Sequence, residues 1–246
     1  MVLIHEHPSP NHDERGKAGA PDMLVLHYTG MESGQAALER LCDPEARVSA
    51  HFLIEEDGRV MRLVPEHRRA WHAGLSHWAG EDNLNDAAIG IELVNPGHEF
   101  GYRSFPEVQM CSLIELAVVL QNRHGIPRHR VVGHSDVAPL RKEDPGELFD
   151  WPRLAACGLG LWSEECPSDV HMDESRARRA LAGIGYGYLD EDFARVLLAF
   201  QRHFLRDHLT AELDPRTAGR LSAIAALYQE ARGGVKRAID SRAPAA

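Results

Sequence analysis

A chain of 246 residues with 43% hydrophobic side chains has the material for a real core, arranged as one large domain or as an ordinary domain with a small companion. Its 27 Lys and Arg against 37 Asp and Glu give a net charge of -10, without the basic stripe that phosphate backbones demand, which excludes nucleic acid as a partner. No apolar run is long enough to cross a bilayer.

The opening "MVLIHEHPSPNHDERG" is polar and contains proline, and its His5, His7 and His12 read as part of a mobile terminus. With no basic n-region and no apolar stretch of signal-peptide length, it points to a cytoplasmic protein; an exported protein whose signal had been removed would look the same. Cys42, Cys111, Cys157 and Cys166 have no CxxC spacing, so reduced and mostly buried thiols are expected.

In "DMLVLHYTG", Met23 to Leu26 is a continuous apolar run that predicts a short buried strand, with His27 at its end. Ser33 is placed to cap a short helix. "SAHFLIEEDGRVMRLVPE" is two strand-like runs around Asp57-Gly58, a strong hairpin signal. A loop rich in Trp, His and Gly follows, and then "AAIGIELVN" alternates Ile89, Ile91 and Leu93 with Gly90, Glu92 and Val94. A helix is predicted from about Pro106 to His124 on Leu113, Leu116, Ala117 and Leu120, closed by Gly125 and Pro127. "RVVGH" is a further buried strand, again ending in a histidine, His134. Strands alternating with helices around a hairpin imply an α/β domain with a mixed β-sheet flanked by helices.

From Leu154 to about Met172 the pattern breaks into a linker. Three helices follow, the second with Phe193, Val196, Leu197, Phe200 and Phe204 on one stripe. Asp190 and Asp214 are natural N-caps, the latter followed by Pro215. The expected division is therefore 1–160 and a small three-helix unit over 168–240, with the tail "DSRAPAA" disordered.

Two histidines and a carboxylate with a fourth position open to water is a layout for catalytic zinc, and His27, His134 and Asp144 fit it. Each strand-end histidine, taken singly, also reads as a core residue donating to a carbonyl. Lys142 and Asp144 lie two apart in the Pro/Gly-rich stretch 133–151, so an extended loop points both the same way. Glu92, flanked by Ile91 and Leu93, must be paired, protonated or functional. Its functional reading is a general base for a water held by the metal, with Lys142 stabilising the oxyanion. Their structural alternatives are a salt bridge for Glu92 and a solvated surface position for Lys142.

Taken in order, "LVLHYTG", "SAHFLI", "WHAG", "LNDAAIGIELVN" and "VVGHSDVAPLRKEDPGELFDW" closely resemble the zinc-dependent N-acetylmuramoyl-L-alanine amidases of the amidase-2 family, over about residues 22 to 155. The resemblance implies cleavage of the amide between N-acetylmuramic acid, or its 1,6-anhydro form, and L-alanine of the stem peptide in muropeptides or peptidoglycan. It implies Zn2+ ligands at His27, His134 and Asp144, with Glu92 and Lys142 as the catalytic pair. It also suggests that Trp71 and His72 line the substrate cleft, with the Asn85 amide nearby to hydrogen-bond peptide or sugar. His51 and His77 are read as structural. The alternative is a non-catalytic peptidoglycan recognition module; in animal proteins of this fold that only bind, a metal ligand is lost, and here none is. Residues "GIGYG", "AFQRHF" and "DPRTAGRL" resemble a three-helix peptidoglycan-binding domain, although "LTAEL" replaces its glycine-rich stretch.

Overall fold

Hydrophobic runs in the first hundred residues or so of the chain become the centre of a six-stranded sheet. The structure, a computed structural model, describes residues 3–16 and 19–240, with side chains described to 233. Its strands are β1 (Ile4–Glu6), β2 (His12–Glu14), β3 (Met23–Tyr28), β4 (Phe52–Ile54), β5 (Val60–Arg62), β6 (Arg68–Ala70), β7 (His77–Trp78), β8 (Glu81–Asp82), β9 (Ala88–Leu93) and β10 (Val131–Gly133). The helices are α1 (Gly34–Cys42), α2 (Gly97–Phe100), α3 (Glu107–His124), α4 (His134–Val137), α5 (Trp151–Ala156), α6 (Glu174–Ile184), α7 (Phe193–Phe204) and α8 (Pro215–Asp240).

The main sheet runs β1-β5-β4-β9-β3-β10, antiparallel only at the β4–β5 hairpin. That hairpin turns at Asp57 and Gly58, where φ is +85° and a glycine is needed. Two faces follow from strand alternation. Leu24, Leu26, Ile89 and Ile91 pack against Met110, Leu113, Leu116 and Leu120 of α3. Met23, Val25, Ala88 and Val132 pack against Leu181, Val196, Phe200 and Leu221 of the last three helices. The C-terminal helices therefore share the core of the sheet, where each fully buried Val, Leu, Ile, Phe or Met stabilises the fold by about 1.5–3 kcal/mol.

Several expectations are corrected. The opening segment is ordered where it is described: β1 pairs with β5, and β2 with β6. Arg15 then donates to the backbone carbonyls of Glu66, Asn85, Asp86 and Ala88. Burial lowers its pKa to about 10, which leaves it charged at neutral pH. Edge pairing and one guanidinium hold this polar segment, and neither leaves a hydrophobic period to read. The predicted linker begins later, because Leu154 lies within α5, whose N-cap is Asp150. The cap of α7 is Asp192, not Asp190; Ser33 and Asp214 act as expected. The cysteines are free, but Cys111 and Cys157 are exposed and Cys42 and Cys166 only half-buried. The stretch "SRAPAA" lies outside the described residues. Among the described residues, no helix is long and apolar enough to cross a membrane.

His51 is completely buried; its Nδ1 accepts the Gly90 N–H at 3.0 Å, and its own N–H donates to the Gly90 carbonyl at the same distance. Burial, with the nearby Arg15 charge, lowers its pKa to about 3. The unfolded chain takes up this proton below about pH 6.5 and the folded chain does not, so the contribution is present above that pH and is lost as the pH falls toward 3. Urea unfolding at about pH 7 and pH 5 should show a smaller acid loss of stability in His51→Asn than in the parent chain. Equal losses would mean that other groups carry the acid sensitivity.

Candidate active site

Strand register assembles the site. His27 lies opposite Glu92 in the β3–β9 ladder, and Leu26 lies opposite Gly133 in the β3–β10 ladder, so His134 falls one step further on, beside His27. His27 follows Met23 and Val25 on the face covered by α6, α7 and α8, and Glu92 follows Ala88 on that same face. The three groups therefore emerge in a row at the carboxyl ends of neighbouring parallel strands, where open α/β sheets bind their ligands. Asp144 joins them from the turns after α4, with its carbonyl accepting the Ser135 N–H at 2.8 Å.

His27 Nδ1 and His134 Nδ1 are 2.9 Å apart, and each is 3.0 Å from Asp144 Oδ2. All three residues are buried. Their outward partners assign the ring protons: His134 Nε2–H donates to the Ala73 carbonyl at 3.2 Å, and His27 Nε2–H donates to His72 Nδ1 at 3.1 Å. Burial, reinforced by His134, lowers the His27 pKa to about 4, so its ring is neutral at pH 7. Burial raises the Asp144 carboxyl, but the adjoining His134 and His27 rings outweigh it and hold the group ionised. Two lone pairs and a carboxylate oxygen thus converge, and they repel one another unless a cation stands among them. Tetrahedral zinc, with bonds of about 2.0–2.2 Å, sets its ligand atoms roughly 3.3–3.5 Å apart, within a few tenths of an ångström of these separations. The group fits a metal ion.

Glu92 Oε2 is enclosed and has no hydrogen-bond partner. Burial first, and then the Asp144 charge, push its pKa well above the usual carboxylate range, with Lys142 opposing them. A cleft of about 890 Å³ opens on Glu92, His134, Asp144, Lys142, His72 and Trp71, and α7 supplies Arg195, Leu198 and Arg202 to its wall. Both Lys142 and Asp144 therefore reach the same space. Asn85 is placed otherwise: its Oδ1 accepts the N–H groups of His72 and Ala73 at 3.0 and 2.7 Å, so it shapes the loop and lies outside that cleft. His77 pairs with Asp82.

Some contributors give no sequence signal. Gly90 leaves room for a ring, since a Cβ there would sit 2.6 Å from His72 Nδ1 and closer still to Cγ. Arg141 donates to the carbonyls of Ala73 and Leu75, tying the two loops that flank the site. The α7 arginines come from a segment that reads as an amphipathic helix. Asp136 is the exception, a polar residue within "VVGHSDV" whose nearness to His134 could have flagged it.

A mixed sheet that presents this donor set to an open cleft beside a buried, unpartnered carboxylate defines a hydrolase with a place for a metal ion. The chain belongs to the N-acetylmuramoyl-L-alanine amidase family (Amidase_2), whose model matches residues 17–147. It is 34% identical over 231 residues to the N-acetylmuramoyl-L-alanine amidase AmiD of Escherichia coli (strain K12), covering 84% of this chain and 83% of that protein. The 1,6-anhydro-N-acetylmuramyl-L-alanine amidase AmpD of Haemophilus influenzae is 37% identical over 59% of this chain and 86% of its own length. Among solved structures, E. coli AmiD with its substrate anhydro-N-acetylmuramic acid-L-Ala-D-gamma-Glu-L-Lys matches at a TM-score of 0.76 and 33% identity, covering 87% of this chain and 93% of that one. AmpDh3 of Pseudomonas aeruginosa matches at a TM-score of 0.77 and 32% identity, covering 91% and 96%. The α/β fold and the amidase class expected from the sequence are both correct.

Gly90→Ala should press a methyl group into the His72 ring and deprive His27 of its acceptor. A loss of about 1–3 kcal/mol in urea unfolding is expected, together with weaker metal uptake measured by chelator competition. Unchanged stability and uptake would show that the His72 ring is free to move aside.

Proposed function

We propose that the chain hydrolyses the amide between the lactyl group of N-acetylmuramic acid, or its 1,6-anhydro form, and L-alanine of the stem peptide, in muropeptides or peptidoglycan. The observation that carries this reading is the unpartnered Glu92 carboxylate, set opposite His27 in the sheet register and opening on the same cleft as His134 and Asp144. The bound muropeptides of AmiD and AmpDh3 support the substrate class.

His27, His134 and Asp144 would hold Zn2+, which supplies a Lewis acid that makes water a nucleophile near neutral pH. Glu92 takes a proton from the attacking water and returns it to the departing alanine nitrogen. The carbon–nitrogen bond breaks, the lactyl carboxylate keeps one oxygen of the water, and the peptide leaves with a free amine. Lys142 meets the negative charge that develops on the carbonyl oxygen. Trp71 and His72 form part of the cleft wall, and the Asn85 oxygen holds the loop that carries them. Residues 1–160 carry this chemistry in our reading, and 168–240 form the peptidoglycan-binding-like unit. Four free cysteines suit a reducing compartment, which supports a cytoplasmic place of work; recovery of the native protein in the periplasmic or membrane fraction would overturn that.

Metal analysis and chromatography of a muropeptide digest test the whole reading. Stoichiometric zinc and released stem peptide are expected; intact muropeptide with zinc present would leave a recognition module instead. Asp144→Ala should lose zinc and activity together, because the metal needs its full ligand set. Lys142→Ala should keep zinc and lose about 100 to 1,000-fold in turnover, with substrate binding much less affected. Zinc loss or near-normal turnover in the Lys142 variant would make that lysine a structural residue.

A further inference from the structure

Asp136 is fully buried two residues beyond His134, and the hydrolysis described above does not use it. Both its oxygens are engaged. Oδ2 accepts the Gly133 N–H and the His203 Nδ1–H, each at 2.7 Å, and Oδ1 accepts the Tyr186 hydroxyl at 2.6 Å. Gly133 directly precedes His134, so this carboxylate fixes the start of the turn that aims the imidazole. Its other two partners come from the C-terminal region. His203 lies on α7, and Tyr186 follows α6 by two residues.

The partners are themselves rigid. The His203 ring is stacked between Trp151 and Phe204, with centroids 3.7 and 3.8 Å away and interplanar angles of 15° and 8°. Burial and the Asp136 charge push the Tyr186 pKa upward, so its hydroxyl remains a donor. The same helices reach the turn that carries Lys142 and Asp144: Arg195 donates to the Leu140 carbonyl at 2.6 Å, and Arg202 pairs with Glu143 at 3.1 Å. Ser135, between His134 and Asp136, donates to the Asp144 carbonyl. A movement of Asp136 would therefore disturb His134 and Asp144 together.

We propose that Asp136, clamped by His203 and Tyr186, is a positioning residue that sets the aim of His134, and that the C-terminal helices thereby form part of the frame of the metal centre. The proposal rests on the reading of His27, His134 and Asp144 as zinc ligands. Outer partners of a metal-bound histidine fix its orientation, and their loss typically weakens metal binding about 10 to 100-fold.

The test uses the full chain, with zinc affinity from chelator competition and the melting temperature of the zinc-free protein measured side by side. Tyr186→Phe, which removes one hydroxyl, and His203→Ala should each weaken zinc binding about 10 to 100-fold, while His203→Asn, which keeps a donor near the Nδ1 position, should recover most of it. Leu197→Ala, a buried apolar truncation on the same helix, should lower the melting temperature and leave zinc affinity unchanged. Unchanged zinc affinity in the Tyr186 and His203 variants overturns the proposal, as does an equal loss in Leu197→Ala. Tight zinc binding by the parent chain with indifferent variants removes the positioning role alone; failure of the parent chain to bind zinc removes the ligand assignment as well.

Discussion

Three electron-rich atoms, two from imidazoles and one from a carboxylate, are held about 3 Å apart and out of water. Such an arrangement is unfavourable in the unliganded protein, since buried polar groups without compensating partners cost several kcal/mol. It persists because rigid elements over-determine it. Register places His27 on β3 and sets His134 at the first position after the adjacent parallel strand β10, so the sheet fixes both. The outward ring nitrogens are then tied to Ala73 and His72. His72 in turn owes its position to the side chain that Gly90 lacks and to the loop that Asn85 holds.

The buried run from Met23 to Leu26, the Asp57-Gly58 hairpin and the helix before Gly125 were readable because each has a period or a turn residue of its own. The candidate metal ligands were readable for a different reason: histidines closing two buried strands, followed by a polar loop, are an unusual juxtaposition in an acidic chain. The ordering of the opening segment was not readable, because backbone pairing at a sheet edge and the carbonyl contacts of Arg15 depend on residues more than fifty positions away. Asn85 shows the limit of motif reasoning. An amide beside a histidine-rich loop looks available for substrate, yet its oxygen is taken up by two backbone N–H groups. The exposed Cys111 and Cys157 show that composition says little about where an individual thiol sits.

The C-terminal helices serve two places at once. Their apolar stripe covers the sheet face formed by Met23, Val25 and Val132, and their polar edge gives Arg195 and Arg202 to the cleft. A separable module would bury its apolar stripe within itself. Here Val196, Leu197 and Phe200 belong to a core that continues into the sheet, so these helices shape the space above Glu92.

Arg15 carries a consequence for the order in which the fold is built. Its guanidinium bonds to carbonyls 51 to 73 residues further along the chain, beyond the hairpin and at the start of the central strand β9. During synthesis this segment exists well before any of those acceptors, so the full set of these bonds cannot form until Ala88 has been made. Contacts this distant in sequence raise the contact order of a fold, and higher contact order goes with slower folding. The opening segment thus adds to the non-local share of the fold, alongside the still longer reach of the β3–β10 pairing.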